Sequence, residues 1–191
     1  MRLDPAPPSA SWTHREARAG FEIVFFRTGS GGTLVTGRTT ADEAGALWSV
    51  GYAIEVDEAW ATRTVRATGL IDGSDRSTEL RRGPDGRWTV DGRHRPELDG
   101  CVDVDFESSA VTNTLPVHRI DFVPGTAVDV PAAFVRADLT VHRLEQSYAL
   151  IDTTDGPRFD YASSTFDFAC ELRYDTAGLV LDYPGIAVRY S

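Results

Sequence analysis

Between Leu98 and Ile120 the sequence reads LDGCVDVDFESSAVTNTLPVHRI, with acids on alternate positions. Successive side chains of a strand point to opposite faces, so Asp99, Cys101, Asp103, Asp105 and Glu107 are expected on one face and Val102, Val104 and Phe106 on the other. Four carboxylates in one row repel one another unless cations, protons or hydrogen-bond donors compensate them. His118 and Arg119 follow as candidate partners. Such a row is either a site or a buried polar network that fixes the register of a sheet.

Three chemistries fit these residue types. Asp103 and Asp105 with His118 are suitable ligands for a divalent metal, but their spacing matches no recognised metal motif, and neither metal nor cofactor is assigned. The same Asp103 or Asp105 beside His118 could exchange protons in a hydrolase or isomerase. Alternatively Thr112, Asn113 and Thr114 offer a compact set of donors and acceptors to a polar head group, with Arg119 addressing an anionic part of it. Gln146 and Tyr148 share a strand face with His142 and Leu144 and would extend that patch, and Trp60 is a candidate stacking platform for a sugar. The competing structural reading has Asn113 and its two threonines capping a turn and the tryptophans filling the core. Cys101 is expected to have a raised thiol pKa from burial and neighbouring acids, which argues against a nucleophile.

The elements that would position these residues read as strands. Turn signals recur at short intervals, as at Asp72-Gly73, Gly83-Pro84-Asp85-Gly86, Pro124-Gly125 and Asp155-Gly156-Pro157. Phe166, Phe168, Cys170, Leu172 and Tyr174 alternate with polar or small residues, and Tyr52, Ile54 and Val56 do the same. Further strands are expected at 21–26, 33–38, 62–71, 87–90, 127–130, 139–150, 179–183 and 186–190. Short helices are expected at Thr40 to Trp48, which opens on Thr and an Asp42-Glu43 pair, and at Pro131 to Ala137, which opens on Pro. A sheet this long must manage its edges and bury one face, so it should roll up.

At 191 residues the chain fits one domain, taken as 12–191 after a loose Pro-rich lead-in over 1–11. The lead-in has no apolar segment of the secretory type, and no apolar run reaches the roughly 20 residues of a membrane span, so a cytoplasmic location is expected. Two cysteines make no disulfide framework. Lysine is absent and every cation is Arg, a planar fork suited to carboxylates. A net charge of −10 disfavours nucleic acid and anionic lipid surfaces. Arg81-Arg82 is the only adjacent cation pair and reads as the solvated edge of a turn. No nucleophile elbow, phosphate-binding loop, zinc-protease helix or dinucleotide fingerprint is present.

Several separated motifs occur in one order: Tyr52 to Asp57 with Trp60 and Thr62-Arg63, then Leu98 to Asp105, Thr112 to Pro116 with His118-Arg119-Ile120, Gln146-Ser147-Tyr148, and Gly178 to Val180 with Asp182 to Gly185. In these the chain resembles the bacterial family described as putative glycolipid-binding proteins, from about Trp12 to its end. The resemblance implies a mainly β spiral roll, a long antiparallel sheet wrapped around a single helix, in a homodimer that binds a glycolipid or other amphiphile without catalysis. Two departures stand out. Ser109-Ala110-Val111 precedes TNTLP where the family tends to have an apolar Pro-Phe, and His118 stands where Arg is frequent, which removes a permanent charge from that position. The ligand-binding set expected on this reading is Asp103, Asp105, Asn113, His118, Arg119, Gln146, Tyr148 and Trp60.

Overall fold

A computed structural model describes residues 2–16 and 18–191. Most of the chain runs as antiparallel meanders. The first comprises β1 (Ser9–His14), β2 (Ala19–Gly29), β3 (Gly32–Glu43), β4 (Ala46–Val56), β5 (Thr62–Ile71), β6 (Ser74–Arg82), β7 (Trp88–Val90) and β8 (Arg93–His94). A middle segment carries β9 (Asp103–Phe106), a 3-10 turn at Val111–Asn113, the helix α1 (Thr114–Arg119), β10 (Ala127–Asp129), β11 (Ala132–Val135) and β12 (Val141–Leu144). The second meander comprises β13 (Gln146–Asp152), β14 (Arg158–Ser163), β15 (Phe168–Tyr174), β16 (Val180–Tyr183) and β17 (Ala187–Arg189).

Among the described residues the two meanders, with β10 added beside β13, join into one 14-stranded sheet, because β17 pairs with β1 and so brings the two ends of the chain together. The sheet remains open, with β8 and β10 at its edges, and it rolls around a second sheet in the order β12-β11-β9 and around α1. This is the spiral β-roll around one helix that the resemblance implies.

Alternation explains which side faces in. Trp48, Val50, Tyr52, Ile54 and Val56 of β4 are buried, as are Phe159, Tyr161 and Ser163 of β14, while the residues between them are partly or fully exposed apart from the closely packed Gly51. β9 and β11 behave differently: every residue of both is buried, as in other parallel strand pairs covered on both faces. Besides a small cluster of Ala132, Phe134 and Leu144, two large apolar cores result among the described residues. One, from Val24, Val50, Ile54, Trp88 and Leu115, fills the first meander, and the other, from Val117, Phe159, Tyr161 and Tyr174, fills the second. The short helix therefore partitions the roll, with Leu115 in one core and Val117 in the other.

Several expectations are corrected. Thr40 to Trp48 is not helical: β3 runs on to Glu43 and turns back at Ala44 and Gly45, both with positive φ (52° and 84°), the two-residue loop that suits hairpin twist. Pro131 to Ala137 contains the buried strand β11 in place of a helix, and the Ala-Ala-Phe-Val run of that strand has no polar face to give a surface helix. The helix lies instead at Thr114–Arg119, where Pro116 falls in the first turn and its missing N–H is not needed. The strand expected at 139–150 is two strands separated at Glu145, and His142 is exposed while Leu144, Gln146 and Tyr148 are buried. β15 begins at Phe168, leaving Phe166 in the preceding turn. The expected lead-in also contributes structure, since Ser9 pairs with Phe25 and Ser11 with Ile23. Met1, its first residue, lies outside the described residues.

Candidate functional site

The predicted acidic row separates into individual partnerships. Of this row only residues 103 to 106 are paired as a strand, and Gly100 (φ 90°) turns the chain before them. Asp99 thus sits apart, accepting from the Trp88 backbone N–H and meeting His94 Nε2 at 3.1 Å. Cys101 is buried against Arg143, and burial pushes its thiol up to about 11, so it is a packed thiol and not a thiolate. Glu107 accepts from the Ala137 N–H at 2.8 Å.

Asp103 and Arg119 do come together as the alternation suggests. Arg119 Nε and one terminal nitrogen reach the two carboxylate oxygens at 3.0 and 2.6 Å, a bidentate fork on an acid that is 1% exposed. α1 makes this possible by ending at Arg119 beside β9. Burial raises the Asp103 pKa and the Arg119 fork opposes that rise.

Asp105 points into the same interior and forms no ion pair among the described residues. Its Oδ1 accepts from Thr112 Oγ1 at 2.5 Å, and that hydroxyl accepts in turn from the Phe106 N–H at 3.2 Å. Burial, only partly offset by these hydrogen bonds, lifts its pKa to about 7, and the charge of Asp103 acts in the same direction. Asn113, brought alongside by the 3-10 turn, accepts from Tyr148 Oη at 2.8 Å through its side chain and from Tyr174 Oη at 3.3 Å through its backbone carbonyl. Asn113 Nδ2 has no hydrogen-bond acceptor among the described residues.

Asp105 and Asn113 lie at a cavity of about 260 Å³ between the two meanders. Arg18, Glu43, Glu107, Ser109 and Ser163 complete its polar side, and Phe134, Tyr161, Phe166, Phe168, Tyr183 and Ile186 supply an apolar and aromatic side. The rings follow from strand register: Tyr148 stands opposite Tyr161, and Ser163 opposite Phe168. The Asp105 charge is felt by the hydroxyls of Tyr148, Tyr161, Tyr174 and Tyr183, all of which burial holds above their usual range. Gln146 is buried nearby in β13 with its Oε1 unpartnered among the described residues.

Trp60 and His118 go elsewhere. Their rings stack with centroids 3.8 Å apart and planes at 20°, and His118 Nε2 lies 2.8 Å from the Ala177 carbonyl, so this nitrogen carries the proton. Gly178 permits the contact: its φ is 73°, and a β-carbon there would come within 3.0 Å of His118 Nε2. Burial lowers the His118 pKa, leaving the ring neutral near pH 7. The His118 ring has no hydrogen bond to Asp103 or Asp105 among the described residues, so the carboxylate–imidazole pair weighed for acid–base or metal chemistry is not joined. Among the described residues no three His, Cys, Asp or Glu side chains cluster as a metal would require.

Three contributors were not visible in the sequence. Glu22 on β2 is fully buried, accepts from Tyr52 Oη, Ser109 Oγ and the Ala110 N–H, and is raised in pKa by burial. Gly37 makes the first of these possible, because a β-carbon there would fall 2.2 Å from the Tyr52 hydroxyl. Arg18 is 7% exposed and donates to the Glu107 carbonyl at 2.7 Å. The only available signal was Glu22 interrupting the apolar character of its strand neighbours on the inward face.

The sequence pattern described as "putative glycolipid-binding" matches residues 9–189. A solved structure, described as a DUF1089 family protein from Pseudomonas aeruginosa, shares the fold with a TM-score of 0.75 and 26% identity over 100% of this chain and 97% of that one. No curated protein matches the sequence. No helix among the described residues is long and apolar enough to cross a membrane. With the family pattern spanning both meanders and the segment between them, the chain belongs to the putative glycolipid-binding family.

Proposed function

We propose that this protein binds a small amphiphile whose hydroxylated head enters the cavity at Asp105 and Asn113 and whose apolar part lies against Phe134, Phe166 and Phe168. The observation that carries the reading is one cavity wall with a carboxyl acceptor and an amide donor facing another made of aromatic rings. Sugar rings have that dual character: hydroxyls at the rim bond to paired donors and acceptors, and the C–H faces pack on aromatic surfaces. At about 260 Å³ the cavity is smaller than the roughly 300–1,000 Å³ that encloses a drug-sized ligand, so it suits one ring and a short stretch of chain.

Of the residues expected to bind, Asp105 and Asn113 form the proposed contact, and Tyr148 and Gln146 stand behind it. Asp103 and Arg119 hold β9 against α1, and the Trp60–His118 stack supports the turn at Gly178. The reading is tested by titrating the protein with short-chain alkyl glycosides and with the matching alkanols under calorimetry. Saturable binding of the glycoside that weakens about ten-fold in Asn113→Ala supports it. Equal binding of alkanol and glycoside would refute it.

The homodimer belongs to the same proposal. Phe21, Ile23 and Phe25 project from the outer face of β2, 36–54% exposed, with Tyr190 packed edge-on to Phe21, which is the apolar stripe such an interface would cover. Sedimentation of Ile23→Asp with Phe25→Asp is expected to give a monomer where the parent gives a dimer.

A further inference from the structure

The chain has 19 Lys plus Arg against 29 acids, yet four of its arginines line one groove on the outer face of β5–β7. Strand pairing assembles it. Thr64, Arg81 and Thr89 stand directly opposite one another on β5, β6 and β7, so a guanidinium lies between two hydroxyls. Arg63 precedes this row, and Arg82 and Arg87 flank the Gly83 to Gly86 turn beside it. The groove measures about 890 Å³, and its acids are Asp57 and Asp85.

Those two acids are engaged as turn caps. Asp57 accepts from the Ala59 and Ala61 N–H groups at 3.0 and 2.9 Å, and Asp85 from the Arg87 N–H at 3.1 Å. Their approaches to Arg63 and Arg87 are both 3.7 Å, beyond hydrogen-bond length, and Arg63, Asp85 and Arg87 are exposed while Asp57 is half-buried. Arg81 is held by Glu79. Arg82 donates only to the Cys101 carbonyl and forms no ion pair among the described residues. Arg63, Arg82 and Arg87 therefore keep donor forks available next to the Thr64 and Thr89 hydroxyls.

We propose that this groove is an oxyanion site that takes a phosphate group, either free or esterified on a lipid head. Planar forks and hydroxyls are the donors that suit a tetrahedral oxyanion, and a concave cationic patch concentrates such anions despite the acidic remainder of the surface. The site is separate from the Asp105 cavity and shares no lining residue with it.

The full chain is titrated at low ionic strength with inorganic phosphate, and separately with phosphatidylcholine vesicles with or without phosphatidic acid. The same titrations follow on Arg82→Gln/Arg87→Gln, whose thermal unfolding confirms the fold. Phosphate binding that falls at least about ten-fold in the double variant establishes a site for free phosphate. Binding confined to vesicles containing phosphatidic acid, with the same loss, establishes a lipid phosphate. No binding in either arm, or binding that survives the double substitution, overturns the proposal.

Discussion

Glu22 and Asp105 are both carboxylates withdrawn into the roll, and burial raises the pKa of each, but their surroundings differ. Glu22 has two hydroxyls and a backbone N–H pointed at it, is 0% exposed, and ties β2 to β4 and to the Ser109-Ala110 corner. Asp105 has the Thr112 hydroxyl, a second acid two positions away, and 7% exposure at the cavity it lines. A buried acid whose lone pairs are filled by the protein is a structural tie. One whose donors are incomplete, next to a space large enough for a ring, is where a ligand can supply what is missing.

The largest loss on substitution should appear on deleting the tie. Glu22→Ala removes the shared acceptor of the Tyr52, Ser109 and Ala110 donors, leaving the two hydroxyls only their own 3.2 Å contact, and should cost about 3 kcal/mol in urea denaturation. A loss below about 1 kcal/mol would place Glu22 on a par with exposed acids. Arg119→Ala strands the buried Asp103 carboxylate and should cost about 3 kcal/mol, most of it recovered in Arg119→Ala/Asp103→Asn.

Asp105→Asn should act with a pH signature. The folded carboxyl titrates at about 7 against an ordinary 3.8, so the native state binds more protons between those values. Wild-type stability relative to Asp105→Asn should therefore be greatest at acid pH, fall as pH rises from about 4 to about 7, and level off above, over on the order of 4 kcal/mol. A pH-independent difference would contradict the burial of an unpaired carboxyl. The smallest effect on stability is expected at the rim: Phe166, 51% exposed, can become Ser at a cost within about 0.5 kcal/mol while glycoside affinity declines.

How much of this could be read beforehand follows the same division. The alternation at Phe168 to Tyr174 and at Tyr52 to Val56, with frequent turn signals, identified a mainly β chain, because period-two burial is local information. The pairing of Asp103 with Arg119 was legible as a nearby cation for the acidic row, although parity does not select the buried face of a strand buried on both. What failed needed knowledge of distant chain. The run of Thr40 with Asp42-Glu43 resembles a helix start until β2 and β5 are seen to demand strands beside it. The Pro131 to Ala137 run became a strand because β9 and β12 pair with it on either side. Trp60 and His118 satisfy each other across 58 positions, and Glu22 meets Ser109 across 87, so no local pattern announces either contact.

The decisive measurement is a side-chain NMR titration with a short-chain alkyl glycoside, following the Asn113 amide, the aromatic protons of Phe166 and Phe168, and the Trp60 indole. The Asn113 and phenylalanine resonances should move together and saturate at one concentration while Trp60 stays in place. Movement of Trp60 alone, or no saturable shift at Asn113, would contradict the assignment of the Asp105 cavity as the binding site.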